Sequence, residues 1–258
     1  MGTHYFQFKQ FTIYHDRCAM KVGTDGVLLG AWCNIPKNGN ILDIGTGTGI
    51  IALMAAQRSS FSQVSIDAIE IDRDAYLQAK ENISSSPWSN RIQVINCSLQ
   101  EYAEMSETLY DHIVSNPPYF DNTLPPKSLS RQMARHTASL TYEELVSNAV
   151  RLLKPEGHIS VIYPADQDRQ LTRIAVSNKL WVSRKVWIKG RPNVSPKRVL
   201  VEWGKSPVSY IEEELVIETA PLTYTLEYIA LTKGEFYQFN LSSCIRQQNS
   251  LTAQFVSF

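Results

Sequence analysis

Apolar and polar positions along the middle of the chain alternate between two periods. "NILDIG" (40–45) is a short apolar run that predicts a buried strand, and "IIALMAAQR" (50–58) has the spacing of a helix that opens after a glycine turn. "VSIDAIEI" (64–71) and "RDAYLQAKENI" (73–83) repeat that strand-helix order. "RIQVINC" (91–97) predicts a third strand, "YDHIVSN" (110–116) a fourth and "HISVIYP" (158–164) a fifth. Thr141 and Glu144 form a T-x-x-E capping box for a helix to about Lys154, with Pro155 and Gly157 stopping it. A further helix is expected from Asp166 to about Ser177. "WVSRKVWI" (181–188) and "RVLVEWG" (198–204) predict two closing strands. Such alternation implies βαβ units and a mainly parallel sheet with helices on both faces. The α/β, Rossmann-like class is therefore expected, with seven strands.

The ends read differently. "YFQFKQFTIYHD" (5–16) alternates around Lys9-Gln10 and predicts a small hairpin, and "KVGTDGVLLGAW" (21–32) turns into a short helix. Residues 1–38 thus form an N-terminal extension to a single domain over 1–239. "TLEYIALTKGEFYQF" (225–239) has helical spacing weakened by Gly234, and residues 240–258 are expected to be a poorly ordered tail.

Composition narrows the function. Apolar residues make up 43% of the 258, enough for a sizeable core. No apolar run of about eighteen residues suggests a transmembrane helix. The N-terminus lacks a signal-peptide apolar region, and Phe6 stands where a myristoylation motif needs Ser or Thr. The four cysteines (Cys18, Cys33, Cys97, Cys244) are scattered, which fits free thiols in a reducing cytosol. The five histidines show no metal-ligand spacing, so no metal is called for. The formal charge is zero but uneven. From Lys179 to Lys205 eight Lys/Arg face one acid, Glu202, while Ser206 to Glu227 holds five Glu and no base. The first stretch is a candidate polyanion-facing surface, or a solvated strand pair. Its Trp181, Trp187 and Trp203 lie on predicted strands and are expected in the core.

Two motifs carry chemistry. "LDIGTGTGIIAL" (42–53) places Gly45, Gly47 and Gly49 between a strand and a helix. Glycines there permit tight turning and close backbone approach to a ligand. The spacing is neither the dinucleotide fingerprint nor a P-loop, but the helix N-terminus suits a small anion such as a carboxylate. Glu70 ends the next strand, about twenty residues on, where an acid accepts hydrogen bonds from ribose hydroxyls. A ribose plus a carboxylate without a pyrophosphate describes S-adenosylmethionine better than NAD. Asp43 completes the set. By topology the third strand's end, at Cys97-Ser98-Leu99, lies against the cofactor adenine.

The second motif, "VSNPPYF" (114–120), stiffens the end of strand four with two prolines. A ring-conjugated amine is a poor nucleophile, and accepting hydrogen bonds from both its N–H groups makes it a better one. Asn116 offers a side-chain carbonyl, Pro117 a backbone carbonyl and Tyr119 a stacking face. A methyl sulfonium is already activated, so alignment and charge stabilisation suffice, without metal or covalent intermediate.

"DIGTGTG" followed by "SNPPYF" resembles the class I S-adenosylmethionine-dependent N-methyltransferases. With "KVGTDGVLLGAW", "SLQEY", "ARH" and "YTLEYIALTKGEFY", the chain resembles, over about residues 5–239, the bacterial valine-tRNA adenine N6-methyltransferase family. That resemblance implies methylation of N6 of adenine 37, beside the anticodon. It implies Asp43, Gly45, Gly47, Gly49 and Glu70 as cofactor residues, with Thr24 and Asp25 near the methionine end. Ser98 stands where many related enzymes carry an acid that binds the cofactor adenine. Asn116, Pro117 and Tyr119 would hold the target amine and base. A stacked anticodon-loop adenine must be splayed out, and phosphate contacts would offset that cost. Phe120, Lys127, Arg131, Arg135 and His136 beyond the turn, with Lys197 and Arg198, are the candidates for contacting RNA. A cytoplasmic, monomeric enzyme acting on tRNA is expected. The competing readings are a release-factor-type protein glutamine N-methyltransferase, a ribosomal RNA guanine N2-methyltransferase, a DNA adenine enzyme and a non-catalytic RNA-binding relic. The first normally has a long helical N-terminal domain, for which about forty residues leave no room. A DNA enzyme would be expected to need a separate recognition domain, and the intact Asn116 argues against a relic.

Overall fold

The computed structural model describes residues 4–59, 63–118 and 140–234. A hairpin of β1 (Tyr5–Gln7) and β2 (Thr12–Tyr14) opens the chain and leads to α1 (Thr24–Trp32). The alternating core follows: β3 (Asn38–Ile44), α2 (Ile50–Arg58), β4 (Gln63–Glu70), α3 (Arg73–Ser84), β5 (Ile92–Asn96), α4 (Leu99–Met105) and β6 (Tyr110–Ser115). After the undescribed stretch come α5 (Tyr142–Leu152), β7 (Leu153–Pro164), α6 (Asp168–Ser177), β8 (Trp181–Lys189), β9 (Arg198–Gly204) and β10 (Ile211–Val216). A two-stranded ribbon, β11 (Glu218–Ala220) and β12 (Thr223–Tyr224), precedes α7 (Leu226–Thr232).

One sheet of order β10-β8-β9-β7-β6-β3-β4-β5 carries the fold. Its strands are parallel except β9, which runs antiparallel to both β7 and β8. One core, on the face of α1, α2 and the N-terminal hairpin, holds Phe8, Leu28, Leu53 and Ile66. The other, on the face of α4, α5 and α6, holds Leu42, Tyr110, Leu145 and Trp203. Strands buried on both faces read as continuous apolar runs, which is why the central ones were visible in sequence.

Four expectations change. The sheet has eight strands, not seven. The added β10, "IEEELV", pairs in parallel with β8 at the sheet edge, where three consecutive glutamates hide the strand pattern. Charge on an edge strand also blocks unwanted pairing. Second, α5 stops at Leu152 and passes directly into β7, so Pro155 and Gly157 lie within a strand. The register slips there, from Tyr110↔Leu153 to His112↔His158. Gly157 is needed for close approach: a Cβ would sit 2.8 Å from the Tyr110 carbonyl oxygen. Third, α4 was not anticipated, although Ser98 and Glu101 form its capping box. Fourth, Trp203 is buried, but Trp187 is half-buried and Trp181 is 41% exposed. Residues 240–258 lie outside the described residues.

The basic segment finds carboxylates in several places, one of them on the acidic strand beside it. Lys189 pairs with Glu214 at 2.8 Å, and the Trp187 indole donates to Glu212 at 2.6 Å. Lys185 is held by Asp168 at 2.9 Å. Part of the charge asymmetry is therefore met within the fold.

Leu171 on α6 is fully buried in the second core. Leu171→Ala should cost about 2–5 kcal/mol in denaturant unfolding; a loss below 1 kcal/mol would contradict the packing described.

Candidate active site

The site forms where β3, β4 and β6 end on the same sheet edge. Registers Ile44↔Ser115 and Ile44↔Ile69 place the glycine loop between the end of β4 and the residues that follow β6. The Ser115 hydroxyl donates to the Ile44 carbonyl at 3.0 Å, tying β6 to β3 at that point. Gly45 and Asn116 follow these paired residues directly.

Asp43 organises the loop. Its carboxyl is fully buried, and Oδ2 accepts from the Thr46 hydroxyl at 2.6 Å and from the Ala52 amide at 3.2 Å. The chain beyond β3 is thus folded back onto the start of α2. The Ile69 carbonyl accepts from the Gly45 and Thr46 amides, both at 3.0 Å, which fixes the loop to β4. Gly45, Gly47 and Gly49 have φ of 68°, 56° and 83°, in the left-handed region that favours glycine. Around Gly45 and Gly47 a Cβ would meet nothing within 4 Å, so open space faces the loop. Gly49 differs: a Cβ there would lie 3.3 Å from Ile83 of α3. Its role is packing as well as turning.

Glu70 closes the other side. It is nearly buried; Oε2 accepts from the Gly47 amide at 2.9 Å and Oε1 from the Asp72 amide at 3.0 Å. Each oxygen keeps a further lone pair. The Asn96 amide donates to the Glu70 and Ile71 carbonyls, at 2.7 and 3.2 Å, and anchors the end of β4. Nothing in the amino-acid pattern marks Asn96 or Thr46 beyond their being polar at element ends.

Thr24 and Asp25 begin α1. Asp25 Oδ2 accepts from Arg198 Nε at 2.8 Å, with both side chains mostly buried. Burial pushes the Asp25 carboxyl up, and Arg198 partly offsets it. Arg198 thus stands opposite a carboxylate on the fold's N-terminal side, whereas Lys197 is exposed. Ser98 lies at the end of β5 as expected, but its hydroxyl and amide both bond Glu101 Oε2, at 2.8 and 2.9 Å. Tyr119, Phe120, Lys127, Arg131, Arg135 and His136 lie outside the described residues. Pro117 is buried and Pro118 exposed.

Two buried oxygens have no partner among the described residues: Asp43 Oδ1 and Asn116 Oδ1. A buried acceptor without a donor is costly, and both belong to residues at this edge. With the open space over Gly45 and Gly47 and the oriented Glu70 carboxylate, the residues fit S-adenosylmethionine. Burial raises the Asp43 carboxyl from 3.8 to about 7, with Glu70 adding to the rise and the Thr46 and Ala52 bonds opposing it. A positively charged ligand beside it would favour the ionised form.

Comparison with known proteins agrees with this geometry. Residues 22–176 match the methyltransferase small domain family. The chain is 50% identical over 238 residues to a tRNA1(Val) (adenine(37)-N6)-methyltransferase of Phocaeicola vulgatus, covering 92% of this chain and 99% of the relative. A protein of the same name from Trichodesmium erythraeum is 48% identical over 237 residues, with the same coverage. Among solved structures, a "predicted O-methyltransferase" of Agrobacterium tumefaciens superposes with a TM-score of 0.65 at 18% identity, covering 84% of this chain and 100% of that one. That likeness is one of fold.

Two measurements test the site's wiring. Ser98→Ala should lower stability by about 1 kcal/mol through loss of the helix cap, while leaving affinity for S-adenosylhomocysteine within twofold. A large loss of affinity would assign Ser98 to the cofactor instead. The second concerns pH. Asp43 with a raised value binds a proton in the folded state that the unfolded chain has released, so stability falls as pH rises from about 4 to about 7. Buried His112, lowered to about 3 chiefly by burial, acts oppositely: its stability contribution is lost as pH falls below its ordinary 6.5. Thermal unfolding of Asp43→Asn between pH 4.5 and 7.5 should therefore show stability rising more steeply with pH than in the wild type. Parallel profiles would contradict the raised Asp43.

Proposed function

We infer that the chain methylates the N6 amine of adenine 37 in a valine tRNA, because it belongs to the tRNA1(Val) (adenine(37)-N6)-methyltransferase family. The observation that carries the residue-level reading is the position of Asn116. Its buried Oδ1, without a partner among the described residues, belongs to the residue directly after β6, and the glycine loop follows the neighbouring strand β3. S-adenosylmethionine is the methyl donor, and when bound it supplies a methyl group already activated on a sulfonium. Asp43, Gly45, Gly47 and Glu70 would hold it, with Gly49 shaping the loop and Thr24 and Asp25 at the methionine end.

This chain's own residues then have one task, which is to present an amine. The Asn116 side-chain carbonyl and the Pro117 backbone carbonyl accept its two N–H groups and draw the nitrogen towards a tetrahedral, nucleophilic geometry. The prolines keep both acceptors in place, so alignment replaces base catalysis. Tyr119 and Phe120 would stack on the adenine ring. The product amine is acidic enough to lose its proton to water, so no buried base is required. Neither the release-factor reading nor the ribosomal RNA reading gains support from the named relatives.

For the RNA, the structure sorts the basic segment. Among its cations, Lys185, Lys189 and Arg198 each face a carboxylate, and Arg184 lies 4.3 Å over the Trp32 ring and bonds Asn34. Lys205 is occupied by the Leu153 carbonyl. Arg191, 54% exposed and 3.9 Å from Glu218, and exposed Lys197 flank the turn between β8 and β9. That turn rises on the same edge as Asn116, since Arg198 pairs with Pro164 at the end of β7. Arg191 and Lys197 are the contacts we assign to tRNA phosphates, beside Lys127, Arg131, Arg135 and His136. A cytoplasmic monomer completes this reading.

Asn116→Ala should keep S-adenosylhomocysteine affinity within twofold and lower methyl transfer by about 100-fold or more; equal loss of both would contradict its role. Arg191→Ala with Lys197→Ala should raise the KM for tRNA, leave kcat unchanged and reduce the salt slope of tRNA binding by about two. An unchanged slope would remove the turn from the interface.

A further inference from the structure

Two buried amides on α3 serve no purpose in the helix itself. Asn82 is 2% exposed, and all of its hydrogen-bonding groups reach beyond α3. Its Oδ1 accepts from the Tyr14 amide at 2.9 Å, and its Nδ2 donates to the Tyr14 carbonyl at 2.8 Å. The same Nδ2 donates to the Thr48 carbonyl at 2.9 Å, inside the glycine loop. One side chain thus acts as a strand partner for Tyr14 and joins it to the cofactor loop, 34 residues away in sequence. One turn earlier on the same helix face, Gln78, also 2% exposed, accepts from the Arg17 amide at 3.2 Å. Asparagine is a poor helix-interior residue, so a buried one with three bonds to other segments marks a tertiary requirement.

The segment held this way, residues 15–23, is a strap from β2 to the start of α1. Its first end is fixed by the Asn82 and Gln78 amides. Its other end runs into Asp25, which is paired with Arg198 on the far side of β7. α1 then packs against the start of α2, where a Cβ on Gly26 would lie 3.2 Å from Ile50. Between these ends Cys18 is half-buried. Burial, with the nearby charges of Glu70 and Asp72, pushes its thiol up to about 12.

We propose that Asn82, supported by Gln78, is a positioning residue for the cofactor: it locks the end of β2 and the strap that follows it to the glycine loop, so that the loop keeps one geometry when the cofactor binds. This rests on the cofactor reading above. The strap and the loop share one hydrogen-bonding partner, so loosening one loosens the other. The consequence falls on how tightly the cleft retains its ligand, and the amine-presenting turn after β6 is untouched.

The test uses the full chain and S-adenosylhomocysteine as the probe, read by calorimetry. Asn82→Asp keeps the acceptor for the Tyr14 amide and loses both donors; Gln78→Leu removes the second clasp. Freeing the glycine loop from the segment after β2 predicts a Kd raised about tenfold or more for Asn82→Asp. The KM for S-adenosylmethionine should rise in parallel, while the KM for tRNA and the kcat at saturating cofactor stay within about twofold. Hydrogen exchange at the Tyr14 and Arg17 amides should speed up. Leu171→Ala serves as a destabilised control remote from the strap and should retain wild-type affinity. Should Asn82→Asp fail to fold, Gln78→Leu carries the same prediction at smaller size. Unchanged affinity in a folded variant with faster exchange at Tyr14 would overturn the proposal, as would an equal loss of affinity in Leu171→Ala. Failure of the wild type to bind the probe would instead overturn the cofactor reading.

Discussion

The site depends on one buried carboxyl. Asp43 sits at the end of the central strand and draws the following residues back through Thr46 and Ala52. That fold-back brings three left-handed glycines into a tight loop and leaves open space over two of them. The same loop supplies the Gly47 amide that orients Glu70. A carboxyl buried this deeply carries an electrostatic cost, visible in its raised protonation range. Its Oδ1, without a partner among the described residues, is where that cost stands ready to be relieved.

Parallel strands deliver everything else. Because β3, β4 and β6 run parallel and side by side, the glycine loop, Glu70 and the Asn-Pro-Pro turn reach one edge of the sheet, where the Ser115–Ile44 and Gly47–Glu70 hydrogen bonds join them. Ligands in such sheets bind beyond the carboxyl ends of strands for this reason. The N-terminal hairpin and its strap are additions to that plan. They are tied on by side-chain amides of α3 and by the Asp25–Arg198 pair, and through Asn82 the end of β2 is joined to the glycine loop.

Much of this was legible in the amino-acid order. The central strands are apolar on both faces, and the glycine loop and Glu70 are placed by strand-helix order. What was hidden has physical reasons. β10 carries Glu212, Glu213 and Glu214 at the sheet edge, and three consecutive charges leave no apolar alternation to read. Pro155 and Gly157 signal a helix stop in sequence, yet they sit in a strand whose register slips to admit them. Helix α4 is seven residues, too short for a periodic signal, although the Ser98–Glu101 box marked its start. Arg198 reads as a free cation until Asp25, 173 residues away, is seen beside it. Asn82 gave no signal, because its three partners lie in two distant segments.

The central claim is that the glycine loop and the Asn-Pro-Pro turn act on one amine, N6 of a single adenine. The most direct measurement is to incubate the protein with labelled S-adenosylmethionine and, in separate reactions, total tRNA, total ribosomal RNA and release factors, then identify the labelled product by mass spectrometry. The account predicts label only in tRNA, as N6-methyladenosine at position 37 of a valine tRNA. Label on guanine N2, or on a glutamine of a release factor, would contradict it.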